Sequence, residues 1–331
     1  MKKRRIWIFF IIASLLLLMW VISYSYINQE KSNDDSKKIS VIVHGENTQR
    51  WENFYQGVQQ AAVDLNAEVT FLTMTDDISI ENQISLVERE VKNNVQGIII
   101  SAVDSEGMSE IIEETAKHIP VVMAENNIPS DDIPIEYISA DNKKMGETLA
   151  ERIMEENDGT TPIYILQVNQ QRDCVWQRRS GLESKLQSNG YAIEYWEPAQ
   201  GDSDLNLFID KMLKKSAWGV VAALDEIALE GIIDGTQEYL NRDKEGEILH
   251  PVIYGIGSTA KIVYSLDRDL IKGIVFQDEY HMGYISMVRL CRQLNGGEAP
   301  PADGDSIEFY SANKDTLHLP EKERLLYPII Q

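Results

Sequence analysis

An alternation leaves this chain few ways to fold. The runs Ile39–Val43, Glu68–Leu72, Gly97–Ser101, Ile119–Ala124 and Ile135–Ser139 read as short strands, and amphipathic helical segments begin near Trp51, Ile80, Gly107 and Lys143. The pattern then resumes with Pro162–Gln167, Tyr191–Trp196, Gly219–Ala223, Pro251–Gly255 and Lys272–Phe276, with helices from about Arg179, Asp204, Asp225, Ser258 and His281. Strands that alternate with helices predict βαβ units and parallel sheets buried on both faces. That is more strands than one twisted sheet holds comfortably, so the expectation is two doubly wound α/β lobes. The stretch Ile119 to Asn142 is where the chain leaves the first lobe. Its strand stops at Glu125-Asn126-Asn127, polar groups at a carboxyl end, where ligands of open α/β sheets bind. A Pro-spaced acidic loop and a second short strand follow, and Ala140-Asp141-Asn142 leads into the next helix.

With 331 residues, 43% of them apolar, the chain can bury a core of about two domains' size. The formal charge is −22; residues 1–29 hold four basic residues and no acid, which leaves −26 on the rest. A body that acidic repels phosphate backbones, which argues against a nucleic-acid partner. Cys174 and Cys291 are too few for a disulfide framework and are expected to be buried or idle thiols, a single bridge being the alternative. Lys2 to Arg5 precede an apolar run from Ile6 that extends through Tyr26, long enough to cross a bilayer, with Trp20, Tyr24 and Tyr26 where an interfacial aromatic belt falls. The basic cluster would hold the amino end in the cytoplasm and put the remainder outside. No Ala-x-Ala follows, and no nearby cysteine could carry a lipid, so an uncleaved single-pass transmembrane helix over residues 6–26 is expected; Ser23-Tyr24-Ser25 is the alternative cleavage site. Residues 1–38 are then a cytoplasmic stub, anchor and tether.

Six segments carry a resemblance: VIVHGENTQRWENFYQGVQQAA, QGIIISAVDSEGMSEIIEETAKHIPVV, YISADNKKMGETLAERI, QRRSGL, ALDEIALEGI and KGIVFQDEYHMG. In their order and spacing they resemble the ribose-binding-protein-like family of type I periplasmic solute-binding proteins, kin to the ligand domains of lactose-type repressors. The likeness covers about residues 39–311. It implies two lobes joined by a three-stranded hinge, lobe 1 being about 39–140 and 279–303 and lobe 2 about 143–277 and 306–331. The chain would cross near Asp141, Asp278 and Asp303, and the lobes would close on a ligand held between them.

Carried over residue by residue, the resemblance implies a ligand-binding set. Arg50 and Trp51 stand where the family often has two aromatics that sandwich a sugar ring; Trp can stack on a sugar face, and Arg50 departs from the pattern. The competing reading makes Trp51 a core residue and Arg50 a solvated cap. Glu125 and Asn126 stand where the family has an Asp-Arg pair or similar, suited to adjacent hydroxyls. Arg178 matches an arginine before a Gly-containing helix, Gln277 a glutamine beside the hinge, and Asp225 the acid of the family's Asn-Asp segment. Trp176, Arg172 and Arg179 are nearby, and most of these are expected at the solvated surface. Two family anchors are replaced, one by Leu224 and one by Gly257. This points away from a standard pentose or hexose, toward a modified sugar, a less hydroxylated ligand, or an anion held by Arg50 and Arg178.

Rival chemistries find little support. Gly255 to Ala260 fits Gly-x-Gly-x-x-Ala, the dinucleotide fingerprint in outline, but stands near the chain's end where a Rossmann half does not begin. His44, His118, His250, His281 and His318 show no metal spacing, and no Gly-x-Ser-x-Gly occurs. His44 ends the first strand and reads as a satisfied loop histidine. No cofactor, metal or catalytic residue is expected. The expected function is an extracytoplasmic, membrane-anchored protein that binds a small sugar-like ligand without turnover and passes it to an ABC permease. The alternative is a ligand sensor whose closed state is read by a histidine kinase or chemoreceptor; a nucleotide-dependent enzyme is a distant third.

Overall fold

The computed structural model describes residues 17–20, 36–45, 50–74, 78–130, 133–198, 205–216, 219–242, 250–297 and 307–327. The expected membrane segment lies outside these residues except for Leu17 to Trp20, a helical turn with exposed side chains. The tether before Ser36 and the crossing near Asp303 lie outside them too. Among the described residues no helix is long and apolar enough to cross a membrane.

Two sheets form. The first holds β1 (Lys37–Val43), β2 (Ala67–Thr73), β3 (Gly97–Ile100), β4 (Val121–Ala124) and β5 (Glu136–Ile138) in the order β2-β1-β3-β4-β5, all parallel. The second holds β6 (Ile163–Leu166), β7 (Ile193–Trp196), β8 (Val220–Ala223), β9 (Val252–Ile256), β10 (Gly273–Gln277) and β11 (Phe309–Ala312) in the order β11-β10-β9-β8-β6-β7. It is parallel but for its edge strand β11, which runs antiparallel to β10. The runs GIII, VVMA, IYIL and VVAA are buried at every position, as strands covered by helices on both faces must be.

Helices α1 (Glu52–Leu65), α2 (Ile80–Lys92) and α3 (Ser109–Ala116) follow the strands of the first sheet. Helices α4 (Asn142–Glu156), α5 (Asp173–Ser188), α6 (Leu205–Ser216), α7 (Glu226–Asn241) and α8 (Ala260–Asp267) follow in the second. α9 (Glu279–Leu294) leaves β10 of the second sheet but packs against α1 and strands of the first; α10 (Pro320–Leu326) ends the described chain. Neither half is continuous in sequence. The chain passes to the second sheet after Ile138 and comes back after Gln277. Near both passages the returning strand is stitched in: Ala140 bridges Ile307, and the Asp278 N–H donates to the Glu308 carbonyl at 2.9 Å.

The two halves share one packing device. α1 crosses α9 where a Cβ on Gly57 would lie 2.0 Å from the Tyr280 carbonyl oxygen and one on Gly283 2.1 Å from that of Phe54. α4 crosses α5 the same way, with Gly146 against the Arg178 carbonyl and Gly181 against that of Lys143, both at 1.9 Å. Only glycine permits so close an approach of two helix backbones. These crossings set the amino ends of four helices around the gap between the sheets. α5 begins at Asp173, six residues before the expected start at Arg179. Its first turn has no side-chain cap of its own; instead the Asp173 N–H donates to the Ser105 hydroxyl at 3.0 Å, from the other half. A cap supplied 68 residues away leaves no local signal.

Candidate functional site

The acidic groups between the halves, with His44, sit at or just beyond carboxyl ends of strands, and the arginines come from the helix starts that face them. His44 follows β1, Glu125 and Asn126 follow β4, Asp225 and Glu226 follow β8, and Gln277 closes β10 with Glu279 two residues on. Arg50 and Trp51 precede α1, and Arg172 and Arg178 lie at the start of α5. Asp225 caps α7 through the Ala228 N–H at 2.7 Å. Glu125 turns sharply: its φ is +64°, in the left-handed region that costs a branched residue, and its N–H donates to the Ile138 carbonyl at 3.0 Å. Its own carbonyl accepts from the Tyr137 and Ser139 hydroxyls at 2.9 and 3.2 Å. That turn aims the carboxylate across to the other half.

Glu125 is fully buried and collects three partners: Arg50, the His44 ring at 3.2 Å and Arg178 at 3.4 Å. Arg50 also lies 3.4 Å from Glu226 and 3.5 Å from Glu279. Arg172 pairs with Asp225 and stands 3.2 Å from the His44 Nε2. Arg178 donates from Nε to Asn142 at 2.8 Å and from Nη1 to the Leu224 carbonyl at 3.2 Å. Asn169 donates to Asp225 at 2.8 Å. Three of these contacts, Arg50–Glu226, Arg172–His44 and Arg178–Glu125, join one half to the other.

Burial alone would push the Glu125 carboxyl up, but the Arg50 charge, the His44 hydrogen bond and Arg178 outweigh it and hold it well below the usual carboxylate range. Burial, helped by Arg172, pulls His44 down to about 4, so the ring is neutral at pH 7. Glu279 is pushed up to about 8, first by burial and then by the like charges of Glu226 and Glu125, with Arg50 opposing. Burial likewise raises Glu226. Several buried polar atoms have no hydrogen-bond partner: Nε of Arg50, Oδ1 of Asn126, Oε2 of Glu226, and both side-chain polar atoms of Gln277.

Two cavities flank the network. One of about 300 Å³ is lined by His44, Arg50, Glu226, Glu230 and Asp234. A larger, open groove of about 840 Å³ runs along α1 and the start of α9 and reaches Gln277, Asp278 and Glu279. The smaller touches His44, Arg50 and Glu226 and the larger touches Gln277 and Glu279, so the network stands between the two.

Of the residues singled out from sequence, the structure gathers Arg50, Trp51, Glu125, Asn126, Arg178 and Asp225 between the sheets. Gln277 lies at the rim, with 4% of its surface exposed. Trp51 is turned inward: its indole N–H donates to the His44 carbonyl at 2.7 Å, its ring meets Phe54 edge-on, and the Arg50 guanidinium lies 3.8 Å over it. The face expected to stack on a sugar is covered by the chain's own arginine, and Arg50 is no solvated cap. Arg172 is buried, not solvated as expected, because Asp225 and His44 receive it. Trp176 does face outward, and Arg179 is half-buried, paired with Glu183 at 2.6 Å and donating to Gln167 at 2.6 Å. Sequence reasoning missed Glu226, Glu279 and Asn142 and undervalued His44. One signal was available: Gly257 replaces a family acid, and a Cβ there would stand 2.5 Å from Cγ of Glu226.

Residues 39–298 match the family profile described as a periplasmic binding protein domain. The chain is 24% identical over 280 residues to the ABC transporter periplasmic-binding protein YphF of Escherichia coli (strain K12), spanning 78% of this chain and 81% of that one. Among solved structures it is similar to a carbohydrate transporter solute-binding protein from Agrobacterium radiobacter in complex with D-arabinose, with a TM-score of 0.76 and 21% identity over 88% of this chain and 99% of that one. It is also similar to the XylFII–LytSN complex, with a TM-score of 0.70 and 18% identity over 85% and 98%.

Proposed function

The chain belongs to the periplasmic binding protein family, whose members are solute-binding proteins and not enzymes, and on that premise we propose that it binds a small sugar or sugar derivative between its lobes outside the cytoplasm and hands it to an ABC-type permease. The observation that carries the reading is a set of buried polar atoms without a hydrogen-bond partner where both halves meet: the whole side-chain amide of Gln277, Oδ1 of Asn126, Nε of Arg50 and Oε2 of Glu226. A buried amide lacking a partner is costly, and the hydroxyls of a polyol, each both donor and acceptor, are suited to it. Lobes 39–140 with 279–303 and 143–277 with 306–331 then close by bending at the passages beside Asp141 and Asp278. Lys2 to Arg5 and the apolar run to Tyr26 support a single-pass anchor, which extraction of membranes with alkaline carbonate tests.

The deciding experiment is a thermal-shift screen of the full-length chain against neutral, acidic and amino monosaccharides. A true ligand at a hundredfold excess over its Kd adds about 2.7 kcal/mol and raises Tm. A Gln277→Ala variant should lose that shift; a screen without any shift refutes the reading. A second reading has the closed state presented to a membrane sensor; the likeness to XylFII in its complex with LytSN shows that this fold can associate with another protein. Deletion of the chain discriminates: loss of uptake of the identified sugar marks a transport component, while loss of a transcriptional response with uptake intact marks a sensor.

A further inference from the structure

Among the described residues the meeting place of the lobes holds three guanidinium groups, Arg50, Arg172 and Arg178, and four carboxylates, Glu125, Asp225, Glu226 and Glu279. Arg172 is taken by Asp225, and Arg178 by Glu125, Asn142 and the Leu224 carbonyl. Arg50 alone faces three carboxylates, and it is committed to Glu125, held there by its stacking on Trp51. Its contacts to Glu226 and Glu279 are the longer ones, and Oε2 of Glu226 accepts no hydrogen bond. With all four carboxylates ionised the site would be short of one positive charge; in the unliganded protein at pH 7 a proton held on Glu279 makes up the difference, and a bound cation would take its place. The smaller cavity adds Glu230 and Asp234 beside Glu226, with Lys261 paired to them at 3.7 and 2.9 Å, and the larger groove adds Glu52 and Asp278 beside Glu279, against Arg324 and His281, so acids outnumber bases in both linings.

An anionic ligand would meet this surplus head-on and would need Arg50 and Arg178 to abandon Glu125. A neutral polyol would leave two buried carboxylates sharing one guanidinium. Resting on the sugar-binding reading above, we propose that the ligand is a monosaccharide-sized polyol carrying a primary ammonium group, its cation received by Glu226 and Glu279 and its hydroxyls by the unpartnered amide of Gln277 and the free Oδ1 of Asn126. Both amides are at least nine-tenths buried, and Gln277 lines the same groove as Glu279. Acid-lined approaches would steer a cation inward, as charged clefts do for ligands of opposite sign.

The test is a calorimetric titration of the full-length chain at pH 7 with matched sets: D-glucosamine, D-galactosamine and D-mannosamine, each beside its parent hexose, its N-acetyl form and its uronate. One amino sugar should bind at least tenfold more tightly than its three counterparts, with an affinity that falls as salt rises. Glu226→Gln and Glu279→Gln should each cost about tenfold for that amino sugar and narrow its lead over the parent hexose. A parent hexose, N-acetyl sugar or uronate that binds as well as the amine overturns this inference while sugar binding stands. No binding by any member of the panel overturns both. Titration of the unmodified chain decides between these outcomes even where a variant fails to fold.

Discussion

Glu279→Gln should make the unliganded protein more stable at alkaline pH, against the general rule that removing a buried charged group weakens a fold. Glu279 is 6% exposed and touches Arg50 at 3.5 Å, with Glu226, Glu125 and Arg178 close enough to act on it. Its folded-state pKa of about 8 lies above the ordinary 4.5. Between those values the folded protein keeps a proton that the unfolded chain has released, so this group's contribution falls as pH rises from 4.5 through 8. At about 1.36 kcal/mol per unit, the whole window amounts to at most about 5 kcal/mol. Relaxation of the cleft and sharing of the proton with Glu226 reduce that to about 2–4 kcal/mol. Glutamine mimics the protonated acid and cannot ionise. Wild type and variant should melt together at about pH 5, and the variant should melt about 4–8 °C higher at about pH 8.5, taking about 2 °C per kcal/mol. All other titrating groups are common to both proteins, so the difference isolates Glu279. Equal melting temperatures at both pH values, or a variant that is weaker at the alkaline one, would refute the charge accounting from which the ligand class was inferred.

Other outcomes follow from the same geometry. His44, drawn down to about 4 from 6.5, must stay neutral when folded, so acidification from pH 6.5 to 4 should cost up to about 3 kcal/mol that His44→Gln escapes; parallel acid melting curves would contradict this. Gly146→Ala drives a Cβ into the Arg178 carbonyl and should destabilise the protein by about 3 kcal/mol in urea titrations while displacing Arg178 from Glu125; a change under about 0.5 kcal/mol would show that the helices part freely. Gly257→Ala, at φ +142° and 2.5 Å from Cγ of Glu226, should push that carboxylate out of the cleft and abolish ligand-induced stabilisation; retention of the full shift would show that Glu226 is dispensable.

Much of the architecture is legible in the sequence because its signals are local. GIII, VVMA and VVAA can only be strands hidden on both faces, and the helices between them carry the 3.6-residue period that packs one side against a sheet. Parallel strands joined this way put their carboxyl ends on one side, which is enough to mark Glu125 and Asn126 as site candidates, whereas Asp225 and Gln277 are marked by the family resemblance. The sequence does not decide which charges satisfy one another. Arg50 meets Glu279 across 229 positions and Arg172 meets His44 across 128, and nothing around Arg172 in Gln170-Gln171-Arg172-Asp173 distinguishes it from a solvated loop. Trp51 shows the same divide: its type suits a sugar platform, yet the fold lays Arg50 on its face. Periodicity is set by neighbours along the chain and can be read from it. The electrostatic balance of the cleft is set by groups brought together from both lobes, so it exists only once the glycine-paired helices have docked and the two halves have met.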